Sequence, residues 1–206
     1  MPAPETLRTF VAVPLSEEVT GSLAELQRQL KRTTPERAVS WVKPANVHVT
    51  LSFLGDILME RVDPIKRALA AVARHVPPFT FRTGGLGAFP STSRPRVIWV
   101  GVQDPNARLA LLYQAATDAV ASVGFERESR PFSPHLTLGR VRRNASRQEV
   151  QALADTLAKM QVGPLGTVKV GELILFRSDL KPGGAEYTPL GTFSLGGPSP
   201  RDDGST

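Results

Sequence analysis

His48-Val49-Thr50-Leu51 and His135-Leu136-Thr137-Leu138 are two copies of one pattern, and they take two of the three histidines in this 206-residue chain. They lie 87 residues apart. In an extended strand successive side chains point to opposite faces. Each histidine therefore shares a face with its threonine, and Val49, Leu51, Leu136 and Leu138 form an apolar underside. The flanks recur at the same offset. Lys43-Pro44-Ala45-Asn46-Val47 precedes the first copy and Arg130-Pro131-Phe132-Ser133-Pro134 the second, so a basic residue, a proline and a small polar residue return in register. Gly84 to Phe89 (GGLGAF) overlies Gly171 to Phe176 (GELILF) at the same spacing. A repeat of this length points to two related structural units.

Working outward, Leu7 to Pro14 reads as a buried strand, and Ser16 caps a helix to about Leu30 with Glu17 and Glu18 in its first turn. Ser40–Lys43 and Val47–Leu54 are extended, and Gly55-Asp56 is read as the turn that closes the second. Val62, Ile65, Leu69 and Val72 have helical spacing within Glu60–His75, which Pro77-Pro78 ends. Phe79–Ala88 follows as a strand. The order repeats with a strand over Pro95–Val102 and a helix to about Val123, capped by Asp104 or Asn106. The motif strand Pro134–Val141 comes next, then a helix capped by Ser146 with Glu149 three residues on. Thr167–Phe176 is read as one strand and Tyr187–Leu195 as the last.

This pattern predicts an α+β fold of two similar lobes, with antiparallel sheets and outer helices related by pseudo-twofold symmetry and an active-site cleft between them. No long linker divides it. The expected organisation is a single bilobal domain over residues 1–195, with repeat units at about 7–89 and 96–195, and a disordered Gly- and Pro-rich tail over 196–206.

Hydrophobic residues at 41% and charged residues at 21% are ordinary for a globular chain. No apolar run approaches the ~20 residues that cross a bilayer, and the N-terminus has no secretory pattern. Membrane partners are not expected, no obligate protein partner is implied, and the expected location is cytoplasmic. The absence of cysteine excludes disulfides, thiol catalysis and zinc-thiolate sites. The net charge of +6 rests on 19 arginines and 6 lysines, and the planar guanidinium suits phosphate oxygens. Charge alone fits a nucleotide or nucleic-acid ligand and a plain solvated surface equally well.

Two imidazoles suit concerted proton transfer near neutral pH, because one can be protonated while the other is not. A threonine hydroxyl beside each can donate to an oxygen that gains charge. Histidines on opposed walls match in-line displacement at phosphorus. A two-histidine metal site is the alternative, but no Asp or Glu shares a face with either motif. The expectation is therefore no metal and no cofactor. His75, at a helix end, is assigned to structure alone.

The two His-x-Thr-x motifs, their spacing, and the strings HVTLSFLGD and PHLTLGR resemble the 2H phosphoesterase superfamily, in particular the RNA 2′,3′-cyclic phosphodiesterases known as LigT-like 2′-5′ RNA ligases. The likeness spans residues 7 to 195 and includes Phe89 to Val102. It implies metal-independent hydrolysis of a 2′,3′-cyclic phosphate on an RNA end or a cyclic nucleotide to a 2′-phosphomonoester. His48 would be proton donor and His135 proton acceptor, with Thr50, Thr137 and Arg140 binding phosphate. Strand parity turns Arg140 away from the histidine face unless a bulge intervenes near Gly139. Phe53 has the same parity problem and is assigned to the core. Arg130, Phe132, Arg94 and Arg96 are candidates for RNA contact. Two other readings stay open: 2′-5′ ligation of a cyclic-phosphate end to a 5′-hydroxyl, and a noncatalytic RNA-binding module.

Overall fold

The computed structural model describes residues 6–128, 131–182 and 184–196. In chain order the elements are β1 (Thr6–Val13), α1 (Glu17–Thr33), β2 (Val39–Trp41), β3 (Val49–Leu58), α2 (Val62–His75), β4 (Phe79–Ser91) and β5 (Arg94–Gln103). Then come α3 (Arg108–Ser122), β6 (His135–Val141), α4 (Arg147–Lys159), β7 (Pro164–Val170), β8 (Glu172–Lys181) and β9 (Gly184–Ser194). Helix starts follow local chemistry. Ser16 accepts from the Val19 amide, and Ser146 and Glu149 form a reciprocal capping box. Asp104, rather than Asn106, serves α3, its Oδ2 accepting from the Leu109 amide at 2.6 Å.

Two antiparallel sheets result, one ordered β3-β1-β8-β9 and the other β2-β6-β5-β4-β7. Each draws strands from both halves of the sequence. Helices α2 and α3 cover the first sheet and α1 and α4 the second, and the buried side chains beneath them form one continuous core. The motif strands β3 and β6 approach each other from the two sheets. Their uncovered faces look into the space between.

Three local features depart from the sequence reading. Gly55 does not end its strand: it adopts φ +71° inside β3, which continues to Leu58. That left-handed conformation fits a bulge, and the register with β1 indeed skips Leu54. The stretch 167–176 is two strands, not one. The chain leaves the second sheet after Val170 and joins the first at Glu172, with Gly171 between. Val168, Val170, Leu173 and Leu175 all enter the same core, and the three-residue step from Val170 to Leu173 shifts the alternation by one at Gly171, a mark of the switch that the continuous apolar run obscured. Finally, β4 pairs with β5 and β8 with β1, so the equivalent segments GGLGAF and GELILF each sit in the sheet dominated by the other half's motif strand.

The motif strands share one irregularity. Opposite β1, Thr50 pairs with Ala12 and Ser52 with Val11, leaving Leu51 as an extra residue. Opposite β5, Thr137 pairs with Trp99 and Gly139 with Ile98, leaving Leu138. Each bulge falls immediately after the motif threonine. At Leu138 the carbonyl accepts from the Val42 amide and from Nε2 of buried Gln27, both at 2.9 Å, and the same Gln27 nitrogen donates to the Val42 carbonyl at 2.8 Å. Gly139 next to it lies against β2, where a Cβ would meet Val39 Cγ1 at 2.7 Å and Trp41 Cε3 at 3.0 Å. Replacing Gln27 with Leu removes the shared donor from a buried position and is expected to lower unfolding free energy by about 1–3 kcal/mol. Gly139→Ala is expected to cost a similar ~1–3 kcal/mol by overpacking. Urea unfolding of both variants against the parent checks these values.

Candidate active site

A cleft of about 530 Å³ opens between the two sheets, and its lining includes His48, Thr50, Phe53, His135, Thr137 and Arg140. The sequence repeat has become a spatial one. His48 Nδ1 lies 2.8 Å from the Asn46 carbonyl, and His135 Nδ1 lies 2.8 Å from the Ser133 carbonyl. A carbonyl only accepts, so each ring carries its proton on Nδ1 when neutral and leaves Nε2 free. Asn46 and Ser133 are the small polar residues that recur at the 87-residue offset. Asn46 is itself anchored, its Nδ2 donating to the Ala185 carbonyl at 2.7 Å.

The bulges decide what accompanies the histidines. Beyond Leu138, parity is reset and Arg140 returns to the cleft face with His135 and Thr137, while Leu138 and Gly139 are both buried. The parity objection to Arg140 is thereby resolved. The equivalent bulge at Leu51 does the same for Phe53, which corrects its assignment to the core: it is 66% exposed and lines the cleft. No glycine adjoins the Leu51 bulge, so the sequence held no cue to it. Phe53 and Arg140 thus occupy matching positions on opposite walls.

Ring contacts surround each histidine, some of them from the other half of the chain. His48 stacks on Phe10 (centroids 4.8 Å), meets Tyr187 edge-on (5.4 Å), and has Phe176 at 6.5 Å. His135 meets Phe89 edge-on at 4.9 Å. Phe89 and Phe176 are the terminal residues of the repeated GGLGAF and GELILF segments. Enclosure of His48 has an electrostatic consequence. Burial lowers its pKa from 6.5 to about 4, against the stabilising bond to Asn46, and the positive charge of His135 pushes in the same direction as burial.

Several lining residues were not singled out from the sequence. Arg8, Lys43 and Arg140 supply positive charge, and the lining contains no Asp or Glu among the described residues. Tyr187 is half-buried; burial raises its hydroxyl pKa, while Arg140 and Arg8 act in the opposite sense, so both guanidinium groups reach this wall. Arg8 and Tyr187 lie on strands with no repeated motif, and their relevance depends on how β1 and β9 are placed.

Other candidates fall elsewhere. Phe132 stacks on Tyr113 of α3 (4.1 Å, 11°), packs against the core and is not in the cleft lining. Arg94 and Arg96 are exposed at the β4–β5 hairpin and are likewise outside the lining. Arg130 and the tail from residue 197 lie outside the described residues. His75 hydrogen-bonds the Ala71 carbonyl at 2.8 Å on α2. Among the described residues, no helix is long and apolar enough to cross a membrane, and no cluster of three or more His, Cys, Asp or Glu is arranged to hold a metal ion.

Comparison with known proteins converges on this geometry. A curated RNA 2′,3′-cyclic phosphodiesterase of Methanothermobacter thermautotrophicus is 33% identical over 189 residues, covering 92% of this chain and 99% of its own. A crystal structure from Thermus thermophilus superimposes with a TM-score of 0.75 at 31% identity, covering 92% of this chain and 98% of the other. The E. coli LigT complex with 3′-AMP gives 0.69 at 28% identity, covering 93% and 99%. The model of the LigT-like phosphoesterase family matches twice in succession, over residues 13–99 and 100–187, with starts separated by the same 87 residues as the histidines. With one motif in each matched stretch and both motifs facing one cleft, the chain belongs to the LigT-like phosphoesterase family.

Proposed function

We propose that this protein hydrolyses the 2′,3′-cyclic phosphate of an RNA end or nucleotide to a 2′-phosphomonoester, without a metal, using His48 and His135 as proton carriers. The observation that carries this reading is the pair of imidazoles lining one cleft from strands of the two sheets, each held through Nδ1 at a backbone carbonyl, which leaves Nε2 as the nitrogen available for proton exchange. The curated relatives' names supply the substrate class. In the reaction, His135 Nε2 takes a proton from water as the water oxygen bonds to phosphorus. The P–O3′ bond breaks, and His48 gives a proton to the departing O3′. Thr50, Thr137 and Arg140 hold the nonbridging oxygens, whose charge grows in the transition state. Among the described residues the lining carries Arg8, Lys43 and Arg140 and no carboxylate, which suits an anionic phosphodiester better than a divalent metal.

His48 is neutral in the ligand-free protein at pH 7, since its pKa is near 4. Its role as donor therefore requires a proton to arrive with the substrate. A phosphate anion beside the ring opposes the cost of burying its charge and raises its affinity for that proton. The folded pKa lies below the unfolded value of 6.5, so this group's contribution to stability is complete above pH 6.5 and is lost as the pH falls toward 4.

Four outcomes are expected. His48→Ala and His135→Ala each lose about 10²–10⁴-fold in kcat on a nucleoside 2′,3′-cyclic phosphate, with circular dichroism unchanged and EDTA without effect on the parent. A phosphodiester with a p-nitrophenolate leaving group, which needs no proton, restores turnover to the His48 variant but not to the His135 variant; the reverse pattern exchanges the two roles. Arg140→Ala loses about 10²-fold in kcat/KM. In ring-proton NMR titrations His48 has a midpoint at about 4 in the free protein, and the midpoint moves toward neutrality when a phosphodiester occupies the cleft. An unmoved midpoint would remove His48 as donor.

A further inference from the structure

The two histidines are held alike by backbone carbonyls, but the residues that supply those carbonyls differ: Asn46 serves His48 and Ser133 serves His135. Asn46 also uses its side chain. Its carboxamide donates to the Ala185 carbonyl at 2.7 Å, across 139 residues of sequence. Asn46 leads into β3 and Ala185 lies on β9, and these strands are the opposite edges of the first sheet. The short turn Pro44–Asn46 therefore reaches the far edge of the sheet on its uncovered side, where His48 stacks on Phe10 of β1 and meets Tyr187 of β9 edge-on. That far edge has little else to hold it. β1 accompanies β8 only from Ile174 to Arg177, while the β8–β9 ladder runs on to Lys181 and Gly184. Past Arg177 the hairpin is an arm of two strands with no third beside it among the described residues, and a lone hairpin is marginal in water. Ser178, Leu180, Ala185 and Tyr187 on this arm line the cleft.

We propose that Asn46 is a positioning residue for His48: its carboxamide ties the β8–β9 arm to the turn that holds the imidazole, and so keeps Tyr187 closed against the ring. The part His48 plays as an acid rests on the cyclic-phosphodiesterase reading; the tie and its effect on the ring's surroundings do not. One residue thus holds the histidine twice, by its own carbonyl at Nδ1 and, through Ala185, by the ring that shields it from water. Ala185 and Tyr187 are two residues apart on one strand and share a face, so a bond at the first fixes the second. Without the tie, water reaches the imidazole, and the desolvation that takes its pKa to about 4 relaxes toward 6.5. The charged or titratable groups that share the cleft with His48 are Arg8 of β1, Lys43 ahead of the turn, His135 and Arg140 of β6 and Tyr187 itself. Along the arm Arg177 pairs with Asp179 and Lys181 with Glu186. A neutral exchange at Asn46 alters none of these charges. Ser133 marks the contrast, since the second half holds its histidine with no carboxamide at that place.

The test uses Asn46→Ser, which gives the first half the residue that the second half already carries in this position, and Asn46→Ala; both keep the carbonyl bond to His48. In ring-proton NMR titrations of the ligand-free protein, the His48 midpoint is expected to rise by about one pH unit in each variant, from about 4 toward 6.5, with circular dichroism unchanged. On a nucleoside 2′,3′-cyclic phosphate kcat is expected to fall about tenfold with KM nearly constant, because the ring is freer to tilt away from the departing oxygen. Turnover of the p-nitrophenyl phosphodiester, whose leaving group needs no proton, is expected to change less than about twofold. A merely structural role would depress both esters alike. An unmoved His48 midpoint in the folded variants overturns the proposal, and so do equal losses on the two esters. Tyr187→Ala removes the shield directly and is expected to raise the same midpoint; a rise there with none in either Asn46 variant shows that the arm is held by something else. The titration needs no turnover. A raised midpoint in a protein whose parent hydrolyses no 2′,3′-cyclic phosphate leaves the tie standing and removes the proposed reaction.

Discussion

One extra residue in each motif strand controls the whole cleft. Without the bulges at Leu51 and Leu138, strict alternation would send Phe53 and Arg140 to the helix-covered faces, where a guanidinium could be buried only at large cost. With them, each wall presents a histidine, a threonine and a third side chain in one line. The Leu138 bulge is held by a hydrogen-bond junction that α1 completes through Gln27. A helix from the first half of the chain thereby fixes the geometry of a strand from the second half. The site's shape is consequently tied to the packing of the entire molecule, not to the motif strands alone.

The exchange of β4 and β8 between the sheets has a similar effect. It brings Phe89 to His135 and Phe176 within 6.5 Å of His48, whose stacking partner, Phe10, comes from its own half of the sequence. Neither half contains a complete setting for its own motif. Mutual dependence of this kind couples two weakly similar halves, because separating them would take Phe89 from His135 and Tyr187 from His48 along with a shared apolar core.

What the sequence disclosed follows from the same physics. Motif register, helix caps at Ser16 and Ser146, and most strand positions are local properties, and local chemistry revealed them. The carbonyl anchors of the histidines were foreshadowed by Asn46 and Ser133 recurring in the flanks, though their role needed the backbone's direction. Phe53 escaped because a bulge is a property of pairing with β1, and pairing is not written in the bulged strand. The strand break at Gly171 escaped because residues on both sides enter one core, and a one-residue shift in alternation between Val170 and Leu173 is a faint mark beside a continuous apolar run. Arg8 and Tyr187 carry no repeat and became visible only when β1 and β9 were placed beside the motif. Phe132 has the reverse history: its position near a motif attracted attention, but its ring lies on Tyr113.

Duplication gave two equivalent imidazoles, yet acid–base chemistry needs two different ones. The difference does not come from the bonds that hold them, since both use an Nδ1 bond of 2.8 Å to a carbonyl two residues back. It comes from the surroundings. Phe10 stacks on His48 and Tyr187 closes its side, and the resulting desolvation takes its pKa to about 4, whereas Phe89 touches His135 by an edge. A ring stripped of water is the one whose protonation responds most to an arriving anion, because the anion replaces the missing solvation of its charge. In the proposed hydrolysis, burial of His48 therefore does more than fix its position: it would make proton uptake depend on phosphate being present, so that the acid forms when there is an ester for it to act on.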